Sequence, residues 1–240
     1  MIKNIINNKK NKWIVLIHPM GGTEKLFFEQ IPVLSEKYNI ALIRLAGHSK
    51  ESSIDDASFE AVINEIHEFA QEKNTKIDII GVSLGAMILT EYLKKYKDDV
   101  ENAYLVSPVY GFSCKFLSLG YYVTNKIKKV IPRALYMRLI VSFVLNNKEE
   151  KSFKKNFYKF TTKMDKNILY KWFDEITVFL KNGKNNIEQL KKYDNIKLIY
   201  GEKDKLFLNF TKKYIDNIII IKDAGHLCNI TKYEEFNKLI

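Results

Sequence analysis

Apolar residues along this chain fall into two kinds of pattern. Trp13–Ile17, Ile40–Leu45, Ile77–Val82, Ala103–Ser107, Ile196–Tyr200 and Ile218–Lys222 are short, β-branched and almost continuously hydrophobic. Runs of that length predict strands covered on both faces, as in a parallel sheet. Between them lie Glu24–Ser35, Ser58–Lys73, Leu84–Tyr96, Leu208–Ile215 and Tyr233–Leu239, which read as helices. In the second of these, Phe59, Val62, Ile63, Ile66 and Phe69 recur at the spacing of one buried helical face. Strands alternating with helices predict an α/β fold: a mostly parallel sheet of six or more strands with helices on both faces.

One segment breaks this alternation. Residues 110–195 contain no strand pattern, and four amphipathic helices fit them: Lys115–Val130, Arg133–Asn146, Glu149–Lys163 and Lys166–Asn182. Pro132, Asn146-Asn147 and Asn182-Gly183 mark the breaks. The predicted organisation is a core of residues 1–109 and 196–240 interrupted by a helical cap, 110–195. Charge separates the same segment. It holds 18 Lys and Arg against 7 Asp and Glu, and so carries the whole net charge of +11. Aromatic residues such as Tyr121, Tyr136, Phe157, Trp172 and Phe173 are interleaved with these lysines.

Composition narrows the class of protein. With 240 residues, 46% of them hydrophobic and 28% charged, the chain is neither disordered nor low in complexity. Two cysteines, Cys114 and Cys228, cannot build a disulfide framework or a cysteine zinc site. Of the four histidines, no two share a ligand-like spacing, so no metal is expected. The N-terminal apolar run, Trp13–Ile17, is too short for a secretory signal, and Ala134–Leu145 is interrupted by Arg138 and too short to span a bilayer. A soluble, cytoplasmic protein with reduced thiols is the expectation.

Candidate chemistry begins at Gly81-Val82-Ser83-Leu84-Gly85, directly after a predicted strand and directly before a predicted helix. G-x-S-x-G in that setting is a nucleophile elbow, a sharp turn that presents the serine at the end of the strand. The helix N-terminus beneath it favours developing negative charge. A serine hydroxyl needs a base held by a third group, in the chain order serine, acid, histidine. Asp204 follows the strand Ile196–Tyr200, and His226 follows Ile218–Lys222. Both therefore fall past the carboxyl ends of strands, where open α/β sheets bind ligands. Glu202 and Asp223 are competing acids, but Asp223 is too near His226 along the chain to approach its ring easily. After the first predicted strand, His18-Pro19-Met20-Gly21-Gly22 forms a glycine-rich loop. Its Met20 N–H, with that of Leu84, is placed to make a two-donor oxyanion hole. His18 reads as a support that ties this loop to its neighbours, His48 as loop architecture, and His67 as an ordinary residue of a helix.

These motifs together resemble the cap-bearing α/β-hydrolases, a superfamily with esterases, lipases and thioesterases. Leu45-Ala46-Gly47-His48-Ser49 is similar to a second loop of that family. Pro19 replaces a usual glycine, and Ala46 and Ser49 depart from a usual proline and glycine. The resemblance implies a serine hydrolase acting on a carboxylic ester or thioester with an apolar acyl part. Ser83 is then the nucleophile, His226 the base, Asp204 its orienting acid, and Met20 and Leu84 the oxyanion donors. His18, Gly21 and Gly22 support the oxyanion loop, and no cofactor is implied. Lyase, C–C bond hydrolase and haloperoxidase chemistry use the same residues on related folds. The menaquinone-pathway lyases usually carry an arginine soon after the elbow, where this chain has Gly85-Ala86-Met87. A non-catalytic binding protein on a hydrolase scaffold is a further alternative. For the basic cap, the candidate partners are an acyl carrier protein, acyl-CoA or an anionic membrane surface. No nucleic-acid-binding pattern is present.

Overall fold

The strand at Lys12–Ile17 is the second of seven in one sheet. A computed structural model describes residues 2–48, 53–144 and 151–240. The strands are β1 (Ile2–Ile6), β2 (Lys12–Ile17), β3 (Tyr38–Ile43), β4 (Ile77–Val82), β5 (Val100–Val106), β6 (Ile196–Gly201) and β7 (Ile219–Ile221). They lie in the order β1-β3-β2-β4-β5-β6-β7. β1 runs antiparallel to β3, and the remaining pairings are parallel. Every residue of β3 and β4 is buried, so both faces are covered at the centre of the sheet. That explains why their sequences lack alternation.

The sequence reading missed β1. Ile2-Lys3-Asn4-Ile5-Ile6 mixes polar and apolar residues and forms an edge, where one side of the ladder has no neighbour and Ile5 faces solvent. The helices are α1 (Ile31–Ser35), α2 (Phe59–Lys73), α3 (Leu84–Tyr96), α4 (Lys115–Lys126), α5 (Arg133–Val144), α6 (Lys151–Thr161), α7 (Lys166–Lys181), α8 (Gly183–Leu190), α9 (Lys205–Thr211), α10 (Cys228–Thr231) and α11 (Tyr233–Asn237). The expected helix Glu24–Ser35 is divided into a 3₁₀ turn, Glu24–Phe27, and α1. Pro32 has no N–H to donate and sits in the first turn of α1, where none is required. Ser58 caps α2, its hydroxyl accepting the Ala61 N–H at 3.1 Å.

Among the described residues, five helices, α4–α8, lie between β5 and β6, one more than the sequence pattern predicted. α8 was missed because it is short and starts directly at the Asn182-Gly183 break. A Cβ on Gly183 would lie 1.7 Å from the Tyr110 carbonyl oxygen, so this glycine permits a close backbone approach. The Asn146-Asn147 break, the start of the third expected helix at Glu149, and Ser49 lie outside the described residues. α7 is pinned to the sheet domain by two bonds. The buried Trp172 indole N–H donates to the Ala46 carbonyl at 3.0 Å, and Glu175 accepts the Phe59 N–H at 3.2 Å. No helix among the described residues is long and apolar enough to cross a membrane.

Candidate active site

The turn between β4 and α3 holds Ser83 at φ 52° and ψ −108°, a left-handed conformation that a residue with a Cβ adopts at a cost. Two glycines make the turn possible. A Cβ on Gly81 would come within 2.4 Å of the Gly85 carbonyl oxygen, and one on Gly85 within 2.2 Å of the Ile17 carbonyl oxygen in β2. The Ser83 N–H donates to Val106 of β5 at 2.8 Å, which ties the elbow to the neighbouring strand. The motif's spacing is thus the contact geometry of a helix packed hard against two strands.

Asp204 and His226 reach the same point from β6 and β7. The loops after these strands are laced together: the Lys203 N–H donates to Ala224 at 2.8 Å and the Glu202 N–H to Ile221 at 2.9 Å. Gly201 allows this, since a Cβ there would lie 2.1 Å from the Gly225 carbonyl oxygen. The outcome is a chain of two hydrogen bonds. Ser83 Oγ lies 2.9 Å from His226 Nε2, and His226 Nδ1 lies 2.8 Å from Asp204 Oδ2. All three side chains are buried. Burial pushes the Asp204 carboxyl up, and the charge and hydrogen bond of His226 oppose that rise. Glu202 and Asp223, the competing acids, face elsewhere: Glu202 accepts the Asp223 N–H at 3.0 Å, and Asp223 pairs with Lys203 at 3.4 Å.

The loop after β2 passes over the serine. Among the described residues, no acceptor takes the N–H of Met20 or of Leu84, and Leu84 opens α3, where the first amides have no intrahelical partner. Both residues line one pocket together with Ser83 and His226. Gly21 (φ +70°) turns its N–H away, to His48 Nε2 at 3.0 Å, while the Gly22 N–H closes a turn onto the Pro19 carbonyl at 3.0 Å. His18 Nε2 accepts the Leu45 N–H at 3.1 Å, which leaves Nδ1 to donate to the Pro19 carbonyl at 2.8 Å. His18 and His48 are therefore a pair of neutral clamps, with ring centroids 4.6 Å apart, between the loops after β2 and β3. His67, distant from the pocket in sequence and fold, bonds Asp99 at 2.7 Å and stacks on Tyr96.

Burial lowers the His18 pKa to about 4, the bond to the Pro19 carbonyl opposes that fall, and Arg44 adds to it. Burial likewise holds His48 well below the ordinary histidine range. An unfolded chain takes up these protons first, near pH 6.5. The contribution of these two histidines to stability is thus complete above pH 6.5 and falls as the pH drops from there towards 4, by about 3 kcal/mol for His18 alone. Urea unfolding at pH 7.5 and pH 5 measures this, and His18→Asn is expected to flatten the slope in that window. An unchanged slope would mean that His18 is not held neutral in the folded state.

The pocket above Ser83 is about 740 Å³ of empty space, including the part open to solvent. Its floor includes Met87, Val109 and Phe207, and its roof comes from the inserted helices: Tyr121 of α4, Ile140 of α5, Phe157 of α6, and Phe173 and Leu180 of α7. Among the described residues, no lysine or arginine lines it. Sequence reasoning did not single out these roof residues. Their helical spacing is also that of ordinary core residues, and only the packing shows which of them face Ser83. Among the described residues, no group of three or more His, Cys, Asp or Glu is placed to hold a metal ion.

A seven-stranded, mostly parallel sheet with an elbow serine, an acid and a histidine at its carboxyl edge defines a class of protein. The α/β hydrolase fold family model matches residues 12–233, and the chain belongs to that family. Solved structures agree on the fold. MenH from S. aureus has a TM-score of 0.75 at 17% identity, over 98% of this chain and 95% of that one. The enol-lactonase from Burkholderia xenovorans LB400 has a TM-score of 0.73 at 14% identity, over 98% and 93%. The esterase from Exiguobacterium antarcticum has a TM-score of 0.70 at 15% identity, over 96% and 90%. The comparison with curated proteins gave no match.

Proposed function

We propose that this chain is a serine hydrolase that cleaves a carboxylic ester or thioester with an apolar acyl part. One observation carries the reading: Ser83, His226 and Asp204 form a continuous hydrogen-bonded chain at the floor of an apolar pocket. In this mechanism His226 Nε2 takes the Ser83 proton as Oγ attacks the acyl carbon. Asp204 fixes the tautomer through Nδ1–H and stabilises the imidazolium that forms. The Met20 and Leu84 N–H groups receive the oxyanion of the tetrahedral intermediate, in a site where donors need no reorganisation. His226 returns the proton to the leaving group, and the acyl-enzyme forms. Water activated by the same imidazole then releases the acid and frees Ser83. Residues 110–195 serve in this reading as a lid whose inner face binds the acyl part. The apolar lining, with no cationic side chain among the described residues, favours an uncharged acyl group over an anionic one. An esterase and an enol-lactonase among the structural neighbours suit ester chemistry, and at 15% and 14% identity the likeness extends to the fold alone.

A p-nitrophenyl ester series from acetate to palmitate tests the proposal, with Ser83→Ala as the blank. Turnover by the wild type, absent in the variant and best for one chain length, is the expected result. Narrowing the roof with Leu180→Phe is expected to shift that optimum to shorter chains. If wild type and Ser83→Ala are indistinguishable across esters and acyl thioesters, the proposal fails.

A further inference from the structure

The outer face of α4 is apolar, and no described residue covers it. Phe116, Leu119, Val123, Ile127 and Val130 recur at helical spacing down α4 and the turn that follows, with Phe116 81% exposed and Val130 86%. Leu135 of α5 adds to them, so this short stretch supplies six of the twelve exposed large hydrophobic side chains among the described residues. Successive helical positions advance by about 100°. The stripe therefore occupies a narrow arc of α4, opposite the inward face that carries Tyr121, Thr124 and Asn125. Lys115, Lys126 and Lys129 are exposed along the flank between the two faces. No Asp or Glu occurs anywhere between Glu101 and Glu149. A groove rimmed by Lys126, Lys129 and Lys181 opens beside the stripe. The one acid on that groove, Asp174, is paired with Lys128.

We infer that α4 is a docking surface for an anionic lipid bilayer. A surface helix with an apolar stripe on one side and lysines beside it fits the chemistry of the membrane interface. Apolar side chains enter the boundary between headgroups and acyl chains, and lysines meet the lipid phosphates. The absence of acidic residues from the whole stretch removes the repulsion that an anionic surface would otherwise meet. Other protein surfaces take apolar stripes too, but a flank that carries Lys115, Lys126 and Lys129 and no acidic residue selects an anionic partner. α4 also places Tyr121 in the pocket above Ser83, so docking would bring that pocket to the bilayer surface. The inference goes beyond the proposed chemistry and does not depend on it.

Sedimentation with vesicles tests it. The full chain is incubated with phosphatidylcholine vesicles and with vesicles containing 30% phosphatidylglycerol, at low and high salt. The expected result is at least about tenfold stronger binding to the anionic vesicles, weakened by salt. Ser83→Ala should bind as the wild type does, which separates this result from the fate of the catalytic proposal. Phe116→Ser with Leu119→Ser and Val130→Ser should lose binding about tenfold or more, with the fold retained by circular dichroism. Lys115→Glu with Lys126→Glu and Lys129→Glu should remove the preference for anionic lipid. Three outcomes would overturn the inference: no binding to anionic vesicles, binding unaffected by the serine substitutions, or a dimer in analytical ultracentrifugation that the same substitutions dissolve. The last would assign the stripe to a second copy of the chain.

Discussion

Ser83→Ala is expected to lower kcat/KM by roughly 10⁵–10⁶-fold on whichever ester the wild type prefers. Its melting temperature should stay within about 2 °C of the wild type. Both halves follow from geometry. The hydroxyl is the only group removed, and it stands 2.9 Å from His226 Nε2 at the end of the hydrogen-bonded chain. The backbone strain at φ 52° remains, because alanine keeps the Cβ. Ser83→Gly separates function from strain: it should be equally inactive yet more stable than the alanine variant, by about 1 kcal/mol. Asp204→Asn should lose activity by about 10⁴-fold, since an amide no longer enforces the productive tautomer of His226. Ester turnover by purified Ser83→Ala close to the wild-type rate would remove Ser83 from the mechanism.

Gly85→Ala is expected to damage stability and activity together. The added methyl group would meet the Ile17 carbonyl oxygen at 2.2 Å and its carbonyl carbon at 2.8 Å, and both are backbone atoms of a central strand. No side-chain rotation relieves that contact, so α3 must move away from β2. Overpacking of this kind costs about 3 kcal/mol. The displacement carries Ser83 and the Leu84 N–H with it, and loss of alignment by 1 Å is worth about 10²-fold in rate. Chemical denaturation and kcat on the same sample read both effects. Gly22→Ala makes a useful contrast: the nearest atom to its Cβ is the end of the Leu26 side chain, at 2.3 Å, which can rotate, although the Pro19 carbonyl oxygen at 3.0 Å is also close. If Gly85→Ala were as stable and active as the wild type, the reading of that glycine as a contact requirement would fail.

The centre of the sheet and the site were the most legible parts of the chain. β4 and α3 follow the sequence pattern to the residue, because a fully buried strand and a long helix each carry a strong, repeated signal. Ser83, Asp204 and His226 were identifiable because each lies just past a strand, and strand ends in a parallel sheet share one edge. Legibility failed at edges and within short helices. β1 has mixed polarity because only one neighbour holds it, and α8 has too few turns to show a period. The division of Glu24–Ser35 turns on Pro32, which has no N–H for a continuous helix and suits the first turn of a new one.

The sequence by itself determined the alternation of strands and helices, the elbow, the order of serine, acid and histidine, and the confinement of the net charge to residues 110–195. Those features are local in the chain or countable along it. Tertiary structure alone decided which aromatic residues of that segment roof Ser83 and which apolar residues face outward. Tyr121 and Val123 sit two positions apart on α4, one lining the pocket and the other half exposed. It also decided that His18 and His48 hold two loops together as neutral acceptors, and that Gly201 lets the loops carrying Asp204 and His226 touch. These are contacts between segments far apart in the chain. A residue's type limits what it can bond, but only packing determines what stands beside it.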